Sequence, residues 1–113
     1  MANDSQLLRG VLEGCVLKII SKRETYGYKI LEILQITGFE SIKEGTLYPI
    51  LVRLVRKGFT GYDTRVSSIG PDRKYYFLTD LGKSELESFE KMFGDIQDAI
   101  SNIWKGDSSN EEQ

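Results

Sequence analysis

Histidine is absent from this 113-residue chain, and there is one cysteine. Without His, the commonest general acid/base and metal ligand is missing, which argues against an enzyme. No cofactor and no metal site is expected. A single Cys excludes an intrachain disulfide and suits a reducing compartment. No uninterrupted apolar run reaches membrane length, and the first residues lack the basic flank of a secretion signal. Gly58 and Gly61 are too few and too badly placed for a phosphate-binding loop. No internal repeat is present. The reading is a non-enzymatic, cytoplasmic protein of one domain, without membrane contact.

Net charge is small, at −2, but the charges are unevenly spread. Residues 1–40 hold five basic and five acidic side chains. Residues 41–79 hold seven Lys/Arg against three acids, net +4, and residues 80–113 hold three Lys against nine acids, net −6. A basic middle can meet phosphates while an acidic end faces away, because local potential steers a polyanion.

The richest stretch is 44–58. Leu47, Ile50, Leu51 and Leu54 form one apolar stripe at helical spacing. Gly45, Pro49, Arg53 and Arg56 lie opposite, and Gly58 supplies a C-terminal stop. Ser41 and Glu44 match a capping box, which starts this helix near Ile42. Pro49 then falls in its second turn. Either the helix starts later, near Gly45 or Thr46, or its first turn is distorted.

An earlier helix spans 5–21, with paired apolar residues from Leu7 to Ile20 and Asp4 or Ser5 as N-cap. Gly10 and Gly14 lie one turn apart on it. They either admit a closely packed helix or are simply tolerated. A second helix runs from Tyr26 to Thr37, capped by Thr25 and ended by Gly38. Phe59–Val66 and Arg73–Leu78 read as strands joined by a turn at 67–72, with Tyr76 and Leu78 inward and Tyr75 outward. Thr79 caps a long last helix. Phe89, Met92, Ile96, Ala99 and Ile103 follow the 3-4 rhythm of a helix seam, widened by Phe93, Ile100 and Trp104. Residues 105–113 read as a disordered acidic tail.

Four motifs in order resemble the PadR family of transcriptional regulators. They are Tyr26-Gly27-Tyr28-Lys29-Ile30, Glu44-Gly45-Thr46-Leu47-Tyr48-Pro49, Arg53-Leu54 with Lys57-Gly58, and Arg73-Lys74-Tyr75-Tyr76-Phe77-Leu78-Thr79. The resemblance covers residues 7–104 and is to the short branch with one C-terminal helix. It implies a mainly α fold with a small β-wing. A winged helix-turn-helix occupies 5–79 and a dimerisation helix 80–104. It also implies a homodimeric repressor of a pseudo-palindromic operator, released by a small aromatic effector in several relatives. Two departures stand out. Phe77 replaces a commonly polar residue, and Ser67-Ser68-Ile69 replaces a more Gly-rich wing tip.

The DNA-facing candidates are Tyr26, Lys29, Lys43, Thr46, Tyr48, Pro49, Arg53, Arg56, Arg73 and Lys74. Singly, each cation also reads as ordinary surface charge; as a group on one face they favour phosphate contact. Thr46 sits where such helices reach base edges. Tyr48 either bonds a phosphate or packs on helix two. Candidates for the dimer interface or effector pocket are Leu8, Leu12, Cys15, Phe89, Met92, Phe93, Ile96, Ile100 and Trp104. Cys15 reads as a core residue or a redox sensor, and the aromatic stripe as packing or a ligand box. The rival to a DNA reader is a winged-helix protein-interaction module, since fold does not fix function.

Overall fold

The computed structural model describes residues 6–110, with side chains described as far as Gly106. The elements are α1 (Gln6–Lys22), β1 (Thr25–Tyr26), α2 (Gly27–Thr37), α3 (Glu44–Arg56), β2 (Thr60–Arg65), β3 (Arg73–Leu78) and α4 (Asp80–Asn110). The strands form an antiparallel sheet in the order β1-β3-β2. This is a winged helix carrying a long C-terminal helix, as expected.

The core is built from the apolar stripes of three helices closed by the sheet. Leu12 and Val16 of α1, Ile30 and Leu34 of α2, and Leu47, Leu51 and Leu54 of α3 are fully buried. Tyr76 of β3 and Leu86 of α4 complete the cluster. Each fully buried Leu contributes roughly 1.5–3 kcal/mol. Because α1 touches α2, α3, β3 and α4, the inner side of its stripe, Leu8, Leu12, Val16 and Ile20, is buried inside the subunit, while Cys15 and Ile19 are only partly buried. Leu8 and Leu12, expected at the dimer or effector surface, are therefore core residues of this chain.

Three boundaries differ from expectation for local reasons. Thr25 does not cap α2. It is buried, paired with Tyr76 in β1, and Tyr26 is the N-cap with extended backbone. A two-residue strand leaves no period in the sequence. Helix α3 starts later than Ile42: Glu44 is its first residue and Lys43, not Ser41, its N-cap. The carbonyl of Lys43 accepts from the N–H of both Thr46 (3.0 Å) and Leu47 (3.1 Å), a tightened first turn, and the helix continues through Pro49. Finally, α4 runs to Asn110, so residues 105–110, expected as tail, are helical. The caps Asp4 and Ser5 and the last residues, 111–113, lie outside the described residues.

Other ends follow expectation. Gly58 (φ 82°) closes α3: its N–H donates to Val55 O, and the N–H of Phe59 to Leu54 O. This paired bonding is the Schellman pattern. Thr79 caps α4, its hydroxyl accepting from the N–H of Gly82 (3.0 Å) and donating to Gly58 O (2.6 Å).

Candidate nucleic-acid interface

With Leu47, Ile50, Leu51 and Leu54 inward, helix α3 turns Gly45, Tyr48, Pro49, Val52, Arg53 and Arg56 outward. Spacing of three and four residues makes these one continuous face. Tyr48 is 40% exposed, and its ring packs on α2, where a Cβ added to Gly27 would stand 3.0 Å from it. The packing role open for Tyr48 is thus filled, with part of the side chain left at the surface.

The wing lies beside this face. Register pairs Arg65 with Arg73, Asp63 with Tyr75 and Gly61 with Phe77. Alternation puts Arg73, Tyr75 and Phe77 on one face and Lys74, Tyr76 and Leu78 on the other. On the first, the Arg73 guanidinium lies 4.4 Å from the Tyr26 ring centre and that of Arg65 4.1 Å from Tyr75. The two tyrosines tilt together at 5.4 Å. Glu24 accepts a bond from Arg65. On the second face, Lys74 sits 4.6 Å from the Tyr62 ring centre. Cations over aromatic faces are held by the ring quadrupole and stay positioned while carrying full charge. The Phe77 ring lies against Gly61, where an added Cβ would be 2.7 Å from it, so it shields a glycine in the partner strand. At the wing tip, Val66 and Ile69 are exposed.

The candidates fall into three places. Tyr26, Tyr48, Arg73 and Lys74 border one cleft of about 410 Å³ between α2, α3 and the wing. Thr46, Pro49 and Arg53 border another, of about 210 Å³, between α1 and α3. There the Nε of Arg53 is 3.2 Å from the Glu13 carboxylate. Lys29 is not brought to either. It borders the α1–α2 groove and pairs with Glu32 at 3.0 Å. Lys43 and Arg56 are exposed on α3 and its approach, with no ion pair among the described residues. The sequence reading missed Arg65, Arg9 and Glu13. For Arg65 the signal lay in its register opposite Arg73. For the other two it was the polar side of α1.

Of the proposed interface and pocket residues, Phe89 packs against the core and stacks on Phe93 at 5.6 Å, the planes 11° apart. Met92, Phe93, Ile96, Ile100, Ile103 and Trp104 remain exposed, Trp104 at 79%. Cys15 is partly buried against the core, and burial pushes its thiol pKa up. That favours the neutral thiol and disfavours a redox sensor, which needs thiolate. Among the described residues no group of His, Cys, Asp and Glu could hold a metal ion, and no helix is long and apolar enough to cross a membrane.

Helix-turn-helix core, recognition-type helix and β-wing define a winged-helix DNA-binding regulator. Comparison with known proteins narrows the class. The profile of the PadR-like family of transcriptional regulators matches residues 16–88, and the chain belongs to that family. It is 33% identical over 81 residues to the negative transcriptional regulator PadR of Bacillus subtilis (strain 168), covering 70% of this chain and 44% of that protein. A crystal structure of a Streptococcus transcriptional regulator superposes with a TM-score of 0.83 at 39% identity, covering 90% of this chain and all of the other. A PadR-like regulator from Bacillus cereus strain ATCC 14579 gives 0.80 at 42%, covering 89% and 98%. The family is one of transcriptional regulators, not of enzymes.

Proposed function

We propose that this chain is a cytoplasmic, homodimeric repressor that reads a pseudo-palindromic operator, one half-site per subunit. One observation carries the reading. A single chain holds both a basic helix-and-wing face and an uncovered apolar stripe on the far half of α4. Such a stripe rarely stays in water on a monomer. The α1–α2 groove, about 750 Å³ with Cys15, Ile19 and Phe39 in its lining, suits the partner's α4. Lys22 and Arg23 on its rim are opposite in sign to Asp95 and Asp98 on the far half of α4. The description of the Bacillus subtilis relative as a negative regulator supports repression.

In this reading Thr46 and its neighbours meet base edges, the cations Lys43, Arg53, Arg56, Arg73 and Lys74 meet phosphates, and paired α4 helices space the two heads. The heads must sit about 34–36 Å apart, one turn of DNA. A small aromatic molecule seated at the α4 seam would lower operator affinity by as much as it prefers another spacing. Selection of bound sequences from a random DNA pool tests the reading. An inverted repeat with half-sites one helical turn apart is expected. Enrichment of nothing, or of a lone half-site, overturns it.

A further inference from the structure

The ion pair between Glu13 and Arg53 joins residues forty positions apart and ties α1 to the exposed face of α3. Its geometry is specific. The guanidinium Nε stands 3.2 Å from a Glu13 carboxylate oxygen, an ion pair that uses this nitrogen and not the terminal ones. Arginine has five N–H donors in a fixed planar fork, so the four on the terminal nitrogens are left for another acceptor. The Glu13 side chain is only 23% exposed, whereas that of Arg53 is 50% exposed. One partner is anchored and the other presented. Arg9 lies one turn before Glu13 on α1 and borders the same cleft, with Thr46 and Pro49 on the opposite wall. Arg9 has no ion pair among the described residues.

We infer that Glu13 is a positioning residue for DNA reading, holding Arg53 by Nε so that its terminal nitrogens, with Arg9 alongside, seat one backbone phosphate of the operator. The inference rests on the DNA-binding reading above. A phosphate contact carries no sequence information, but it sets how the reading helix lies in the groove. A fixed Arg53 therefore sharpens the register of Thr46 and Pro49 against the bases. Untethered, Arg53 still attracts phosphates, only without a set position. Glu13 is itself repelled by the backbone, so its presence weakens binding to DNA at large. Removing it changes the two kinds of binding in opposite directions, which no simple loss of charge or of folded protein does.

The test uses the full chain, an operator duplex obtained by selection from a random pool, and a random-sequence duplex of equal length. If selection yields no preferred sequence, the DNA-reading function itself is overturned. With an operator in hand, Glu13→Ala is expected to weaken operator binding roughly tenfold while random-duplex affinity rises. Glu13→Gln keeps an acceptor oxygen for Nε and is expected to restore operator affinity to within about threefold. Arg53→Lys keeps the charge but has no Nε fork. It is expected to lose as much as Glu13→Ala, with no further loss when the two are combined. Should Glu13→Ala fail to fold, Arg53→Lys and Glu13→Gln carry the comparison. Unchanged operator affinity in Arg53→Lys, a Glu13→Gln loss as large as that of Arg53→Lys, or additive losses in the double variant overturn the inference.

Discussion

Gly14 and Gly10 sit one turn apart on α1 and have opposite surroundings. The Phe89 ring of α4 lies directly on Gly14, in the space a Cβ would need, whereas nothing comes within 4 Å of a Cβ on Gly10. The two readings open for the pair are thus divided between them. A ring wedged against a helix has little room to move, since cores pack like crystals. Gly14→Ala is expected to destabilise the fold by about 1–3 kcal/mol, against the helix propensity of Ala. Gly10→Ala is expected to stabilise it by about 0.5–1 kcal/mol. Thermal unfolding of the two variants checks the contrast; equal shifts would show that Phe89 leaves its seat freely. Phe77 over Gly61 repeats the device in the wing, where the departure from the family pattern is a ring that covers backbone.

At the scale of elements, the wing is more than a loop bearing charges. Glu24, Arg65, Tyr75, Tyr26 and Arg73 form one linked row across three strands. Arg73 and Lys74 are adjacent in β3 and so present to opposite faces, each over a different tyrosine. Alternation of strand side chains splits these two cations between the faces of the sheet. Both still border the cleft beside α3. Changing both to Ala is expected to weaken binding to all DNA sequences similarly. The salt slope should flatten by roughly one unit per lost phosphate contact. Titration of operator and random duplexes over a salt series measures this. A loss confined to the operator, with unchanged slope, would assign the two residues to shape or base readout.

On the scale of the whole molecule, the chain measures 68 × 30 × 20 Å. That length comes from α4, which docks by Leu86 and Phe89 and then carries its apolar stripe away from the core. Phe93→Asp with Ile96→Asp is expected to give monomer or unfolded chain in sedimentation. A stable dimer would show that the seam lies elsewhere. The exposed Trp104 is the only tryptophan and reports on the far part of the helix. Among planar aromatic compounds, some are expected to quench its fluorescence and weaken operator binding over the same concentrations. Ring pairs add about 0.5–1.5 kcal/mol beyond burial. Quenching with unchanged DNA affinity would mean a pocket uncoupled from the reading heads.

Periodicity alone determined the helices, the inward face of α3, the two long strands and the caps at Gly58 and Thr79, because these depend on neighbours within a few positions. The four PadR-like motifs carried the family for the same reason: each is a local run at fixed spacing. What the tertiary structure decided involves partners distant in the chain. The strand Thr25–Tyr26 exists only because β3 offers it an edge, and that edge takes Thr25 away from capping α2. Leu8 and Leu12 look like any apolar surface stripe until α1 is found at the centre of the subunit. Arg53 is one of several basic residues on a helix face until Glu13, forty positions earlier, is found 3.2 Å from its Nε. Sequence spacing specifies which side of an element a residue occupies; which other element meets that side is set by packing, where burial and steric fit select one arrangement.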